Sequence, residues 1–373
     1  MQKIKILYYN TTLKKGGTDI FMMGIVKNLN KEKFSIDVLI KDGDSVDNNL
    51  LSAITNDGHN VYLAHGSFIK RVFFLKKFFK THKNEYDCIH INATSQSVGI
   101  ISYFAHHYGK IKKIIFHSHM GGNDHPKRIT DRIGFIMLKK YSTIFATCST
   151  VASEFMFGKK FCTNHSIIKL NNSVDTDIFQ YNQMIRESTR QELNLAKHDF
   201  AILHVGRFVP AKNHKKLIEI FNEIIKKEKD AKLILIGNGP LLEDVKQQVK
   251  NLKLSEKVLF LGEQNNIAQY MQACDCFVMP SLHEGLPIVA VEAQSTGLPL
   301  VLSSNISVET KLTDNTIFID LDADLLLWVD NILKFKNIQR HSQKEILINK
   351  GFNKATLIKN IEQLYMEWIW YLK

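Results

Sequence analysis

Cys276-Phe-Val-Met-Pro-Ser-Leu-His-Glu-Gly-Leu-Pro-Ile-Val-Ala-Val-Glu-Ala-Gln-Ser-Thr-Gly297 decides how the chain is read. A short apolar run, Cys276 to Met279, leads into a glycine-containing loop and then a helix opened by Pro287, a residue suited to the first helical turn because no intrahelical amide is lost there. Strand, loop and helix in that order is the repeating unit of a parallel sheet. The same unit recurs at Ile202 to Gly206, Leu233 to Gly237, Val258 to Gly262, Leu300 to Ser303 and Ile317 to Ile319. The first half carries it at Ile4 to Tyr8, Ile36 to Ile40, Val61 to Leu63, Cys88 to Ile91, Lys113 to His117, Ile144 to Cys148 and Ile167 to Leu170. The chain is therefore expected to be α/β, with two Rossmann-like, doubly wound parallel-sheet domains.

A length of 373 residues exceeds one ordinary core. Asn171 to Asn182 is polar and lacks apolar periodicity, so the linker is expected there, with domains over 1–178 and 179–354 and a central cleft between them. The remaining 355–373 reads as an amphipathic helix crossing back to the first domain, with Ile358, Ile361, Leu364, Tyr365, Trp368 and Ile369 on one face.

Hydrophobic residues at 45% and charged ones at 23% describe a folded globular chain. Nothing approaches the roughly 18 to 20 apolar residues of a membrane span, and the N-terminus reads as a strand, so a cytoplasmic location is expected. The five cysteines suit reduced, buried thiols, and if the strand is Cys276 to Met279, Cys274 and Cys276 point to opposite faces, which argues against a metal grip. The net charge of +12 is concentrated in residues 1–180, with 25 Lys/Arg against 14 Asp/Glu. Such a field attracts nucleic acid, anionic membrane or phosphorylated molecules, and composition alone does not choose.

The 281–297 segment places free amides and the positive end of a helix dipole at a strand exit, a place for phosphate. Glu284 on the loop and Glu292 in the helix can both face a sugar-sized ligand, although a solvated loop acid and a dipole-complementing acid explain the spacing equally well. Gly206-Arg-Phe-Val-Pro-Ala-Lys-Asn-His214 also follows a strand, and Arg207 and Lys212 can neutralise a diphosphate leaving group. A helix-start lysine alone is more often solvated. Gly237-Asn-Gly-Pro240 adds a third turn at that edge, a motif that is mostly structural.

Taken together, Gly206-Arg207 with Lys212, then Glu284-Gly-Leu-Pro287 with Glu292, resemble the donor half of the retaining glycosyltransferases of family 4, the GT-B exopolysaccharide and capsule type. The resemblance covers about residues 4 to 370. It implies that Arg207 and Lys212 bind the donor diphosphate, that Glu284, Gly285, Leu286, Pro287 and Ile288 hold the sugar and phosphates, and that Glu292 holds the ribose. It also carries over Gly16 and Gly17, in Lys14-Lys-Gly-Gly-Thr18, as a loop against donor phosphates and acceptor, and His119 as the active-site histidine, catalytic with Glu284. His117 is read as a satisfied strand residue. Asn172-Ser-Val-Asp175 departs from the family pattern, which has Gly where Ser173 stands.

Phe68 to Lys83 mixes aromatic and basic residues. At 100° per residue Phe68, Val72, Leu75 and Phe79 form the stripe that seats a helix on its sheet, which leaves Phe74 and Phe78 free beside Lys70, Arg71 and Lys77. Rings outside the core stripe and flanked by cations suit anionic lipid, and a peripheral position on the inner membrane face is expected; lysine stems snorkelling over a wedged helix is the plainer explanation.

The expected reaction is transfer from a nucleoside-diphosphate sugar, UDP-linked, to a hydroxyl of a saccharide or lipid-linked saccharide, with retention and without a metal or other cofactor. No nucleic-acid partner is expected. Asp320-Leu-Asp-Ala-Asp324 superficially copies a metal motif but precedes a helix and reads as a cap. A sugar phosphorylase, a nucleotide-sugar epimerase and a non-catalytic membrane- or polymer-binding scaffold remain the alternatives.

Overall fold

The computed structural model describes residues 3–14, 16–44, 46–119 and 128–367. The chain divides into two compact units, one taking in residues up to Asn172 together with those from Lys354 onward, the other Ser173–Asn353.

In the first unit β1 (Ile4–Asn10), β2 (Phe34–Ile40), β3 (Val61–Leu63), β4 (Cys88–Ala93), β5 (Lys113–Ser118), β6 (Ile144–Thr147) and β7 (Ile167–Lys169) form a seven-stranded parallel sheet in the order β3-β2-β1-β4-β5-β6-β7. The strands alternate their side chains between two cores. Ile6 and Tyr8 meet the helices Gly17–Asn28 and Lys354–Met366 on one face, while Leu7 and Tyr9 meet Phe68–Thr81, Ile100–His107 and Ile129–Tyr141 on the other. The last helix inserts Leu357, Ile358, Ile361, Leu364 and Tyr365 into the first core. Trp368 and Ile369 lie outside the described residues.

The second unit repeats the design with β8 (Phe200–Val205), β9 (Ala231–Ile236), β10 (Val258–Phe260), β11 (Cys276–Met279), β12 (Leu300–Ser303) and β13 (Thr316–Ile319), in the order β10-β9-β8-β11-β12-β13 and all parallel. Cys276 and Cys274 do belong to cores on opposite faces, and the cysteines are free thiols. Strand order reverses between β1 and β4 and again between β8 and β11, and in open α/β sheets ligands bind at the carboxyl ends of the strands beside such reversals. Gly16 and Gly17 after β1, Arg207 and Lys212 after β8, and Glu284 after β11 fall beside these reversals, and His119 follows β5, one strand away from the first.

The Phe68–Thr81 helix corrects one expectation. Its buried residues are Leu75, Phe78 and Phe79; Phe74 is half-buried and stacked on Phe78, and Arg71 is held by Asp42 and Asp44 at 2.9 and 2.8 Å. Phe78 is taken up by Tyr62 and His82, with ring centroids 4.8 and 4.4 Å away. Phe74, Phe78 and Arg71 are thus unavailable as a lipid-facing set. The exposed apolar residues are Phe68, Ile69 and Phe73, and Lys70 and Lys77 remain exposed with them.

Candidate functional site

The loop after β8 and the loop after β11 are tied together by their backbones. Leu282 donates its amide to the Ala211 carbonyl at 2.8 Å; from the end of β12 the Ser303 hydroxyl also anchors the β11 loop, donating to the Ser281 carbonyl at 2.5 Å. A proline-led turn, Pro210–Lys212, ends at Asn213 in the left-handed conformation, and the helix His214–Lys227 starts from it. This turn brings the Lys212 ammonium to 2.5 Å from Glu284 Oε1, with both side chains about four-fifths covered. Two residues expected at one ligand from separate motifs are therefore in contact. Arg207 on the same loop is exposed, and among the described residues no acid pairs with it.

The Gly237–Pro240 turn supports that loop from beneath. Phe208 donates to the Asn238 carbonyl and Leu241 to the Phe208 carbonyl, both at 3.0 Å. A Cβ on Gly239, whose φ is +157°, would lie 2.6 Å from the Phe208 carbonyl oxygen, so only glycine allows the approach.

The helix Ile288–Ser295 begins at Pro287, as its sequence implies, and its first-turn amides lack intrahelical acceptors. Gly285, Leu286, Pro287 and Ile288 are buried at this start, and Glu292 lies one turn in. Burial raises the Glu292 carboxyl to a pKa of about 7. An acid so placed is poised between a donor and an acceptor of hydrogen bonds near neutrality.

Two histidines that the motifs do not single out flank Lys212. His204 shares a 2.8 Å hydrogen bond with the Val278 carbonyl and leaves Nε2 buried without a partner. His214 stacks on Phe208 with centroids 4.0 Å apart. Burial, with the Lys212 charge nearby, lowers His204 to about 4 and His214 to about 2, so both are neutral near pH 7.

In the first unit, Gly16 caps the helix Gly17–Asn28, but its amide is turned inward. Asp19 accepts from the amides of Lys14 at 2.8 Å and Gly16 at 3.1 Å, and Asn10 donates to the same carboxylate at 2.7 Å. Asn92 completes the group by donating to Asn10 Oδ1 and to the Thr18 carbonyl. The Gly16-Gly17 loop is therefore shaped by three buried polar side chains from β1, β4 and the helix itself.

His119 follows β5. Burial lowers its pKa to about 3, opposed by hydrogen bonding with Asn172, and its Nε2 is buried without a partner among the described residues. Behind it His117 lies 4.0 Å away ring to ring, shares a 3.2 Å contact with His90 Nε2, and His90 in turn shares 2.7 Å with the Tyr365 hydroxyl. His117 is thus linked in a row of neutral rings, although its own Nε2 is unpartnered.

The aspartate motif at 320–324 is structural: Asp324 caps the helix Leu325–Leu333 by accepting from the Leu326 amide at 2.8 Å, and Asp320 accepts from Asp322.

Comparisons with known proteins bear on the fold and the class of enzyme. Residues 185–320 match the family model described as glycosyl transferases group 1. A putative glycosyltransferase EpsF of Bacillus subtilis is 25% identical over 361 residues, 94% of this chain and 93% of that protein. An Escherichia coli UDP-Gal:alpha-D-GlcNAc-diphosphoundecaprenol alpha-1,3-galactosyltransferase is 25% identical over 98% of each chain. The crystal structure of Anabaena Alr3699/HepE in complex with UDP and glucose superposes with a TM-score of 0.80 at 19% identity, covering 98% of this chain and 100% of that one. Two Rossmann-like parallel-sheet units, with the family-model match in the second and the whole-length similarities, make this chain a glycosyltransferase of the GT-B fold. Over its whole length the chain is similar to EpsF and, at 25% identity over 353 residues, to a Staphylococcus aureus capsular polysaccharide biosynthesis glycosyltransferase CapH, in keeping with the resemblance to the family 4 enzymes of the exopolysaccharide and capsule type.

Proposed function

We propose that this enzyme transfers a sugar, with retention of anomeric configuration, from a UDP-sugar to a hydroxyl of a lipid-linked saccharide during surface polysaccharide synthesis. The observation that carries this reading is the Lys212–Glu284 pair at the β8/β11 reversal, beside unpaired Arg207. Arg207 and Lys212 together supply the two positive charges that a departing diphosphate requires. Glu284 and the 285–288 backbone hold the sugar and phosphates, and Glu292 receives the ribose hydroxyls. His119, neutral, hydrogen-bonds the transferred sugar through Nε2. The helix start at Gly17 meets donor phosphates and acceptor. The E. coli relative, named for α-1,3 transfer from UDP-Gal to a diphosphoundecaprenol acceptor, supports both the donor and the acceptor class. No metal is assigned a role, because the cationic side chains account for the leaving-group charge.

The acceptor class gives the exposed apolar residues of the first unit a use. Beside Phe68, Ile69 and Phe73, the helix Ile129–Tyr141 exposes Ile129, Ile133 and Ile136 at i, i+4 and i+7. Its rotation is fixed by Gly134, where a Cβ would fall 2.1 Å from the Gln96 carbonyl oxygen, and by Asp131, which accepts from the Ser97 amide. The isoleucines are held outward among exposed Arg128, Arg132, Lys139 and Lys140. This is the composition of a surface that seats on anionic lipid. No described helix is long and apolar enough to cross a membrane.

The reading is tested by incubating the protein with a panel of UDP-, GDP- and ADP-sugars and an undecaprenyl-diphosphate-linked saccharide. NMR of the product linkage then reads the stereochemistry. A β-linked product from an α-linked donor, or transfer from no donor in the panel, overturns it.

A further inference from the structure

The second unit holds a cavity of about 530 Å³ away from the donor residues, lined among others by Tyr181, Arg186, Asp275, Arg340, His341 and Ser342. Asp275 immediately precedes β11 and accepts from the Ala201 amide of β8 at 2.8 Å. The cavity therefore lies at the amino ends of those strands, the opposite sheet edge from Arg207, Lys212 and Glu284.

Its charges do not balance. Arg186 and Arg190 share the Asp275 carboxylate at 2.5 and 3.4 Å. Arg340, itself buried, meets no carboxylate among the described residues; it donates instead to the carbonyls of Gln272, Cys274 and Thr296 at 2.9, 2.6 and 2.9 Å. Three guanidinium groups thus face one carboxylate. The carbonyl end of the helix Ile267–Ala273, which they also touch, offsets roughly half a charge. Burial, followed by the charge of Arg186, lowers the Arg340 pKa to about 10, so repulsion from its neighbour outweighs attraction to Asp275. Buried charges are ordinarily paired with an opposite charge, and here, among the described residues, the guanidinium charge exceeds the carboxylate charge, the other donors being taken by neutral backbone carbonyls.

The mouth is preformed. Gly297, at φ +67°, lies so close to the His341 carbonyl that a Cβ would approach it to 1.9 Å, which pins the 339–342 segment. The amides of Gln339, Arg340, His341 and Ser342 have no main-chain acceptor among the described residues. Tyr181 covers Arg340 with its ring, 4.9 Å from the guanidinium carbon. Arg186, less buried than Arg340, is the cation at the wall, with its Nη1 donating to the carbonyls of Gln272, Ala273 and Cys274 and its Nη2 to Asp275; Arg340 likewise spends its donors on the backbone, and both contribute charge.

We propose that this cavity is a second anion-binding site, which takes a small soluble phosphate or diphosphate ester through Arg186, the 339–342 amides and the Ser342 hydroxyl. It lies at the opposite sheet edge from the residues assigned to the donor. Arg340 also holds the carbonyls that end the Ile288–Ser295 helix, the element that carries Glu292, so the occupied cavity is in mechanical contact with the donor-binding helix.

The test is calorimetric titration of inorganic pyrophosphate into the full chain carrying Arg207→Ala and Lys212→Ala, which silences the donor site. Saturable binding is expected to persist and to weaken about tenfold or more when Ser342→Glu places an acid at the exposed mouth, and likewise with Arg186→Gln. Ser342 is solvent-facing, so its variant keeps the fold; thermal melting checks the arginine variant. No saturable binding at millimolar pyrophosphate, or binding indifferent to Ser342→Glu, overturns the proposal. So does an effect of Ser342→Glu confined to vesicles of anionic lipid, which would make the cavity a headgroup contact.

Discussion

Lys212 and Glu284 neutralise each other across 2.5 Å, so each of the two groups assigned to opposite ends of the donor is held by the other before the donor arrives. Donor binding exchanges this internal pair for a lysine–phosphate and a carboxylate–hydroxyl contact. The two truncations consequently act in opposite directions on the nucleotide alone. Glu284→Gln frees the ammonium and tightens UDP binding by about three- to tenfold, whereas Lys212→Ala weakens it. Both lower the rate of transfer, Lys212→Ala by about a hundredfold. Calorimetry with UDP beside a transfer assay separates the two effects; equal weakening of UDP by both variants would show that the pair does not compete with the ligand.

Glu292 gives binding a proton signature. Its carboxyl is raised to about 7 by burial, and ribose hydroxyls donating to it favour the ionised form, so UDP binding at pH 6.5 releases protons. Titration in buffers of different ionisation enthalpy reads the release, which Glu292→Gln abolishes. The same shift affects stability. The folded state binds this proton more tightly than the unfolded chain, so the carboxyl's contribution is largest below its ordinary value and is lost as pH rises to about 7. Glu292→Gln removes that part of the pH dependence.

The row of histidines behind His119 has the opposite sign. His90 and His119 are lowered to about 3 by burial, so the unfolded chain takes up protons first as the medium is acidified. Their contribution is complete above the ordinary imidazole value near 6.5 and is lost as pH falls from there toward about 3. Thermal melts between pH 7 and 4.5 show a falling midpoint, with a shallower slope in His119→Asn. An unchanged slope would mean that His119 is exposed to solvent in the folded protein.

Gly239→Ala tests the backbone support of Arg207. The added methyl meets the Phe208 carbonyl and amide at 2.6 and 2.7 Å in a conformation that side chains rarely adopt. We expect a loss of about 1–3 kcal/mol in stability and weaker UDP binding, because the loop that carries Arg207 must move. Denaturant unfolding and UDP titration measure the two parts.

Phe68→Ser with Phe73→Ser removes flotation on vesicles containing anionic lipid, as does Ile133→Ser with Ile136→Ser, whereas Phe78→Ser destabilises the fold by about 3 kcal/mol or more. Membrane binding that survives both surface pairs excludes these helices as the contact.

The fold was legible because local signals repeat. All thirteen expected strands are present, with ends displaced by no more than two residues, since apolar runs bounded by turn residues mark a buried parallel strand directly. The placement of Arg207, Lys212 and Glu284 was legible because each sits in a short motif directly after a strand. What the sequence concealed depends on neighbours far along the chain. The helical wheel of Phe68–Thr81 shows which residues share a face but not that Tyr62 and His82 claim Phe78. Asp19 reads as an ordinary helix-start acid until Asn10 and Asn92 close around it. His90 meets Tyr365 across 275 residues, and Arg340 meets the carbonyl of Cys274 across 66, contacts that no spacing rule reaches.

The most direct measurement is calorimetric titration of UDP-sugars into the wild-type chain and into Arg207→Ala, Lys212→Ala and Glu292→Gln. At least one UDP-sugar should bind the wild type with micromolar to millimolar affinity and lose about tenfold or more in each variant. Wild-type affinity retained in all three would place the donor elsewhere and contradict the assignment.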